Sequence, residues 1–294
     1  MQKQAILIMY HDDYNLLKTI LKLLDHELID IYIHVDKKVK NFNFQEVEKL
    51  LKKSKIFFTK RLDVRWGTYK QIECELELMK LASNNNYQYY HLISGVDLPI
   101  KKAEEIYHFF KNQTKEFVGF SSLEDISEMD IARIKYYHLF NNNYRNKNRL
   151  IRKISSLLYQ NLLKVQKILK TNRLKNETLV IRKGCNWFSI TDDLVKYVIK
   201  KEKLIKKVFN YSHCADELFL QTLVYNSKFK DNIYQKGGND CEAAMRLIDW
   251  KRGEPYTFTS LDYELIKNSK MMFARKFSGK NQEIIEKIKN YLER

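Results

Sequence analysis

The chain has 294 residues, with 53 Lys and Arg against 36 Asp and Glu, a formal net charge of +17 and a hydrophobic fraction of 44%. That apolar content can fill the core of one large domain, and with only 2 Pro and 8 Gly no linker of the Pro-rich or Gly-rich kind divides it, so disordered and repeat architectures are excluded and a single domain over 1–294 is expected. The longest apolar stretches, such as Ala5 to Tyr10, fall far short of the ~20 residues a membrane span needs, and the N-terminus lacks a charged-then-apolar leader pattern, so the expected location is the cytosol.

In chain order, residues 4–10 are apolar and end at Tyr10-His11-Asp12-Asp13. Leu16, Leu17, Ile20, Leu21, Leu23 and Leu24 then recur at helical spacing before Ile29 to Asp36, which reads as a second strand; this is a β-α-β unit. The pattern continues with a helix over Phe44 to Lys53, a strand over Lys55 to Thr59, a long helix over Tyr69 to Ser83, and a strand over Tyr89 to Ile93 stopped by Ser94-Gly95. Such alternation predicts an α/β protein with a mostly parallel, Rossmann-like central sheet flanked by helices, whose ligands lie beyond the carboxyl ends of the strands. The residues there are His11-Asp12-Asp13, Asp36-Lys37-Lys38, Arg65-Trp66-Gly67 and Ser94 to Pro99. No G-x-G-x-x-G follows the first strand and no G-x-x-x-x-G-K-[ST] occurs, which argues against a dehydrogenase or a P-loop enzyme.

From about 136 to 175 the chain becomes a basic helical insertion rich in Arg, Lys and Asn, with Leu150, Ile151, Ile154, Leu157, Leu158, Leu162, Val165, Ile168 and Leu169 at helical spacing. Two arrangements are open: an apolar stripe packed into the core with the charges solvated, which is the ordinary case, or docking on an anionic membrane surface. Beyond it, Thr178 to Arg182 and Cys185 to Thr191 read as strands, Asp192 to Lys201 as a helix capped by Thr191 or Asp192, Ala215 to Ser227 as a helix, and Glu283 to Glu293 as a final amphipathic helix.

Asp216 and Glu217 stand at the start of the helix expected from Ala215. Acids there favour the helix dipole, and a glutamate so fixed is also placed to act as a general base on an attacking hydroxyl. Asp12-Asp13, Asp97 and Asp192-Asp193 are further carboxylates, yet no Asp-x-Asp occurs, so the divalent ion that such a motif holds against a leaving diphosphate is not expected. Fixed cations would then be needed, and Met272-Phe273-Ala274-Arg275-Lys276-Phe277 offers two between apolar anchors, if it is not simply an exposed basic pair. Trp66, Trp187 and Trp250 each lie beside polar residues and suit either core packing or stacking on sugar rings. Cys74, Cys185, Cys214 and Cys241 lack C-x-x-C spacing and are expected as free thiols; no His-x-x-x-His and no G-x-S-x-G occurs. The positive charge favours polyanions, but no helix-turn-helix, RNA-binding or zinc motif supports nucleic acid.

Eight blocks, taken together and in order, resemble the Core-2/I-branching enzyme family of β-1,6-N-acetylglucosaminyltransferases and peptide O-xylosyltransferases: Ala5 to His11, Ile31 to Lys38, Val64 to Tyr69, His91 to Ile100, Lys183 to Thr191, Cys214 to Glu217, Leu247 to Trp250 and Phe273 to Phe277. The resemblance implies a GT-A fold and an inverting transfer, without a metal cofactor, from a UDP-sugar (GlcNAc, xylose, galactose or glucose) to a glycan hydroxyl, the acceptor being free or lipid-linked. It makes Glu217 the expected catalytic base and Arg275 and Lys276 the diphosphate clamp, with Arg252 as a looser further contact. Asp36 and Arg65 are expected on the donor side; Trp187, Trp250 and Asp216 are expected towards the acceptor. The absence of an anchor and of matching cysteines is the pattern of bacterial members, which build surface glycans at the cytosolic membrane face. A carbohydrate-binding protein that keeps the fold without turnover is the competing expectation.

Overall fold

A computed structural model of the chain describes residues 2–122, 126–143 and 146–294. The first half alternates as predicted: β1 (Gln4–Tyr10), α1 (Tyr14–Leu23), β2 (Ile29–Val35), α2 (Phe44–Leu50), β3 (Ile56–Phe58), α3 (Lys70–Ser83) and β4 (Tyr89–Ser94). A short β5 (Asp97–Pro99), α4 (Ala103–Lys111), β6 (Phe117–Val118), α5 (Glu128–Lys135) and the long α6 (Arg149–Ile168) follow. The last part comprises β7 (Phe188–Thr191), α7 (Asp192–Lys200), α8 (Glu202–Phe209), α9 (Phe219–Tyr225), α10 (Asp240–Ala243), β8 (Arg246–Ile248), α11 (Tyr263–Lys267), β9 (Phe273–Arg275) and α12 (Gln282–Leu292).

Six strands form one sheet in the order β3-β2-β1-β4-β7-β6. β3, β2, β1 and β4 are parallel, and β7 joins β4 antiparallel, as does β6 to β7. This mixed α/β sheet flanked by helices is the arrangement expected of a GT-A-like fold. Both faces are covered, which is why β1 reads from Ala5 as a continuous apolar run and why even the polar positions of β2 and β4 are buried. Ala5, Leu7, Tyr32, Tyr90 and Leu92 point to one core with α3, α7 and α9; Ile6, Ile8, Ile31, Ile33 and Ile93 point to the other with α1, α4 and α12. The chain order reverses between β1 and β4, so the crevice beyond Tyr10 and Ser94 is the switch point at which open α/β sheets bind ligands.

The structure corrects several expected elements. Thr178 to Arg182 is extended but joins no sheet among the described residues: Val180 N donates to Asn226 Oδ1 (3.0 Å), Val180 O accepts from Asn226 Nδ2 (2.8 Å), and Arg182 N donates to Thr222 Oγ1 (3.1 Å). Side chains on and just after α9 thus replace the ladder that a partner strand would supply. The strand expected from Cys185 begins only at Phe188. The helix expected from Ala215 is a 3₁₀ turn over Ala215–Glu217, and α9 starts at Phe219, because Cys214 has φ 46° and Leu218 φ −122°, neither continuing a helix. A second, three-stranded sheet, β5-β9-β8, was not legible, since strands of three residues show no usable period.

Within the insertion, the helix is α6, capped by the Asn148 side chain, which accepts from Leu150 N and Ile151 N; residues 144 and 145 lie outside the described residues. Its apolar stripe does not enter the core. Ile151, Ile154, Leu158 and Val165 are exposed, while the buried positions are Ser155 and Gln166.

Candidate active site

At the switch point, the small sheet brings two charges together. In the antiparallel register of β5 and β9, Asp97 stands opposite Arg275, and the Arg275 guanidinium donates to Asp97 Oδ1 (2.7 Å) and Ser94 Oγ (2.6 Å). Asp97 is nearly fully buried and also accepts from Ser94 N (2.7 Å), so Arg275 is held by a pre-satisfied carboxylate rather than by a floppy surface contact. The guanidinium lies over the Trp187 ring, 4.7 Å from its centre. Lys276, half-buried, follows at the end of β9 and makes no side-chain ion pair among the described residues.

Asp36, at the end of β2, is buried and already engaged: it accepts from Lys38 N (2.8 Å), Lys38 Nζ (2.8 Å) and Val64 N (3.2 Å), tying the ends of β2 and β3 together. His11 lies between these groups. Its surface is exposed, but crowding by protein desolvates it and lowers its pKa, Arg275 and Lys38 lower it further, and Asp12 and Asp36 oppose them.

The second half of the site is the 213–217 segment. Arg133, on α5, donates to the carbonyls of His213 (3.1 Å) and Cys214 and to Glu217 Oε2 (2.8 Å), while Asp130 accepts from its Nη1 (3.1 Å). Cys214 N donates to Gly67 O (2.9 Å) and Gly184 N to Glu217 O (3.0 Å). The segment is therefore held by α5, Gly67 and Gly184, yet the Glu217 side chain is 36% exposed, and its Oε1 accepts no hydrogen bond among the described residues.

Asp216 points the other way. It is buried, accepts from Gln71 Nε2 (2.9 Å), and its pKa is pushed up to about 7 by burial and by the charge of Glu217. Behind it Glu75 on α3 is fully buried and raised well above the usual carboxylate range by burial and by Asp216. In the amide orientation that satisfies both partners, Asn186 donates to Glu75 Oε1 (3.1 Å) and to Asp216 O (3.1 Å). Burial favours the protonated form of Glu75, and Glu217 is the carboxylate of this group that is presented outward.

The segment from Lys183 to Trp187 joins the two halves, touching Glu217 through Gly184 and Arg275 through Trp187. Gly184 permits this course: a Cβ there would lie 1.9 Å from Gly119 O. At the rim, Arg65 pairs with Asp63 (3.0 Å) and reaches Asn142 O (3.3 Å), and the Trp66 ring meets the His213 ring edge-on at 5.6 Å. Arg252 and Trp250 are not drawn into this junction. Arg252 is bound by Asp249 (2.5 Å) and Asp262 (2.7 Å) and stacks on Tyr256 at 4.1 Å; Trp250 is more than half exposed just beyond β8.

Arg133 and Glu75 were missed in the sequence. An arginine on a weakly amphipathic helix carries no signal of its own, but Glu75 does: it shares the inward face of α3 with Ile72, Leu76 and Met79, and a carboxylate on such a face needs a reason.

Residues 5–271 match the sequence model of the Core-2/I-Branching enzyme family. Among curated proteins, xylosyltransferase 2 of Rattus norvegicus is 26% identical over 293 residues, covering 92% of this chain and 31% of that protein. Xylosyltransferase 2 of Homo sapiens is 25% identical over 292 residues with the same coverage. The chain thus spans about a third of the length of the curated relatives it matches.

Proposed function

The chain belongs to the Core-2/I-branching enzyme family, and from that premise we propose that it transfers a sugar from a UDP-sugar to a glycan hydroxyl in one inverting displacement that uses no metal. The observation that carries this reading is the junction itself: an outward-facing Glu217 joined through the Lys183 to Trp187 segment to a guanidinium, Arg275, preset by buried Asp97.

The acceptor hydroxyl gives its proton to Glu217 as its oxygen bonds the anomeric carbon, and the bond from that carbon to the diphosphate breaks, its electron pair leaving on UDP. Charge growing on the leaving group meets Arg275 and Lys276, in a place prepared before reaction, so little reorganisation is needed. A double displacement would need a second nucleophile near the base. Asp216 is turned onto Gln71, and Cys214 is pushed up to about 12 by burial, so it remains a thiol. One available carboxylate supports single displacement with inversion. The xylosyltransferase relatives support xylose as one of the donors to try, alongside GlcNAc, galactose and glucose.

Binding and hydrolysis across a panel of UDP-sugars, with and without EDTA, tests the reading. Saturable binding and turnover of one UDP-sugar in EDTA is expected. Strict metal dependence would refute the fixed-cation mechanism, and binding without any turnover would favour a carbohydrate-binding protein on the same fold.

A further inference from the structure

α6 is built inside out for a helix of a water-soluble domain. Its inward face is anchored by polar bonds: Ser155 Oγ accepts from Asn143 Nδ2 (3.1 Å), the Tyr159 hydroxyl bonds His138 Nδ1 (2.7 Å), and the Gln166 amide pairs with both N (2.7 Å) and O (2.9 Å) of Tyr137. Its outward face carries the hydrocarbon. Ile151, Ile154, Leu158 and Val165 follow one line at three-, four- and seven-residue spacing, with Leu150, Leu157 and Ile168 beside them, all between 43% and 79% exposed. A contiguous apolar strip of this kind, along a helix ~30 Å long, marks a docking surface rather than scattered surface hydrophobics.

Charge identifies the occupant. From Ile131 to Asn176 the sequence has no Asp or Glu and 12 Lys or Arg; Arg149, Lys153, Lys164 and Lys167 flank the apolar line on the same helix. Two copies packed through this face would set like charges against one another, and nucleic acid would leave the hydrocarbon uncovered. An anionic bilayer surface satisfies both halves at once, taking the aliphatic side chains below its headgroups and pairing the cations with lipid phosphates. Among the described residues no helix is long and apolar enough to cross a membrane, so the contact is interfacial. We propose that α6 docks the protein on an anionic lipid surface, lying in its plane. A groove of about 610 Å³ lies between the other side of α6 and His213, beside the loop that carries Glu217. The docking stands on the helix alone, whichever sugar is moved.

Vesicle sedimentation tests it, with the full chain on phosphatidylcholine vesicles with and without about 30% phosphatidylglycerol, in salt raised from about 0.1 M to about 1 M, where the Debye length falls from ~10 to ~3 Å. Binding to the anionic vesicles that weakens with salt is expected. Ile154→Asp with Leu158→Asp should reduce it at least about 100-fold, since two buried aliphatic side chains are lost, with melting unchanged because neither touches the core. Lys164→Glu with Lys167→Glu should remove part of the salt-sensitive share alone. Equal binding by the Ile154/Leu158 variant and the parent, binding indifferent to anionic lipid, or no binding to any vesicle would each overturn the proposal. A dimer in sedimentation velocity that the same variant dissolves, without vesicle binding, would replace it with a second copy of the chain.

Discussion

Glu217→Gln separates chemistry from binding and from folding. The substitution keeps shape and leaves an amide oxygen to accept from Arg133, whose donor now stands 2.8 Å from Glu217 Oε2. What is lost structurally is one ion pair with a side chain 36% exposed, worth about 1 kcal/mol or less after screening. For a chain this long that is a fall of roughly 2–4 °C in melting temperature at most. The chemical loss is far larger. General-base catalysis contributes about 10²–10⁴-fold, or roughly 3–5 kcal/mol of barrier at ~1.4 kcal/mol per tenfold. Donor affinity should stay within about twofold, because Arg275 is held by Asp97 and Ser94 and not by the Glu217 loop. The assay is transfer or donor hydrolysis at saturating UDP-sugar, paired with calorimetric binding of UDP and a melting curve. A variant that keeps more than about a tenth of the rate would refute the base assignment; a parallel fall in UDP binding and melting would show that the loop, not the proton transfer, had been damaged.

Arg275→Gln should weaken UDP binding about 10- to 100-fold, the weight of one charge-assisted contact, and Lys276→Ala should do so without lowering the melting temperature; unchanged affinity in both would discredit the clamp. Gly184→Ala must move backbone, since the new Cβ meets Gly119 O at 1.9 Å and Gly119 C at 2.7 Å. It should cost about 1–3 kcal/mol in stability and reduce transfer as well, because the same segment positions Trp187 and abuts Glu217; a variant with normal melting and normal rate would contradict the packing described. Asp216, raised from 3.8 to about 7, holds its proton more tightly in the native chain than in the unfolded one. The associated stability is fully present below pH ~4 and lost as pH rises through ~7. The melting temperature of Asp216→Asn should therefore fall less between about pH 5 and about pH 8 than that of the parent, with Glu116, also raised to about 7 by burial, keeping some slope in both. Identical pH profiles would refute the buried, partly protonated state of Asp216.

The parallel half of the sheet was legible because its strands are buried on both faces and its helices on one. Ala5 to Tyr10 therefore appears as an unbroken apolar run and Ile29 to Val35 as an apolar run broken only by Asp30 and His34, with α1 and α12 as 3.6-residue stripes. The same logic placed the ligand crevice at the strand ends and drew attention to Asp36 and Asp97, whereas Glu217 stood out as an acid at an expected helix start and Arg275 as a cation between apolar anchors within an ordered motif. Where a strand is three residues long, or an extended segment is held by Asn226 and Thr222 instead of a ladder, no period exists to read, and the elements around 178–182, 246–248 and 273–275 were misassigned or unseen.

By itself, then, the sequence determined the α/β class, the order of its β-α units, the family and the residue types available for chemistry, because each is written in local periodicity or in ordered motifs. Only the tertiary structure decided which of those residues meet. Arg133 reaches Glu217 across 84 positions and Asp97 reaches Arg275 across 178, neither of which local spacing encodes, and Arg252 is taken by its near neighbours Asp249 and Asp262 instead of the site. The outward face of α6 was decided there too. Periodicity gives the angle between apolar and polar stripes, but which stripe turns inward depends on partners distant in the fold, here the polar groups of Tyr137, His138 and Asn143 that take Gln166, Tyr159 and Ser155.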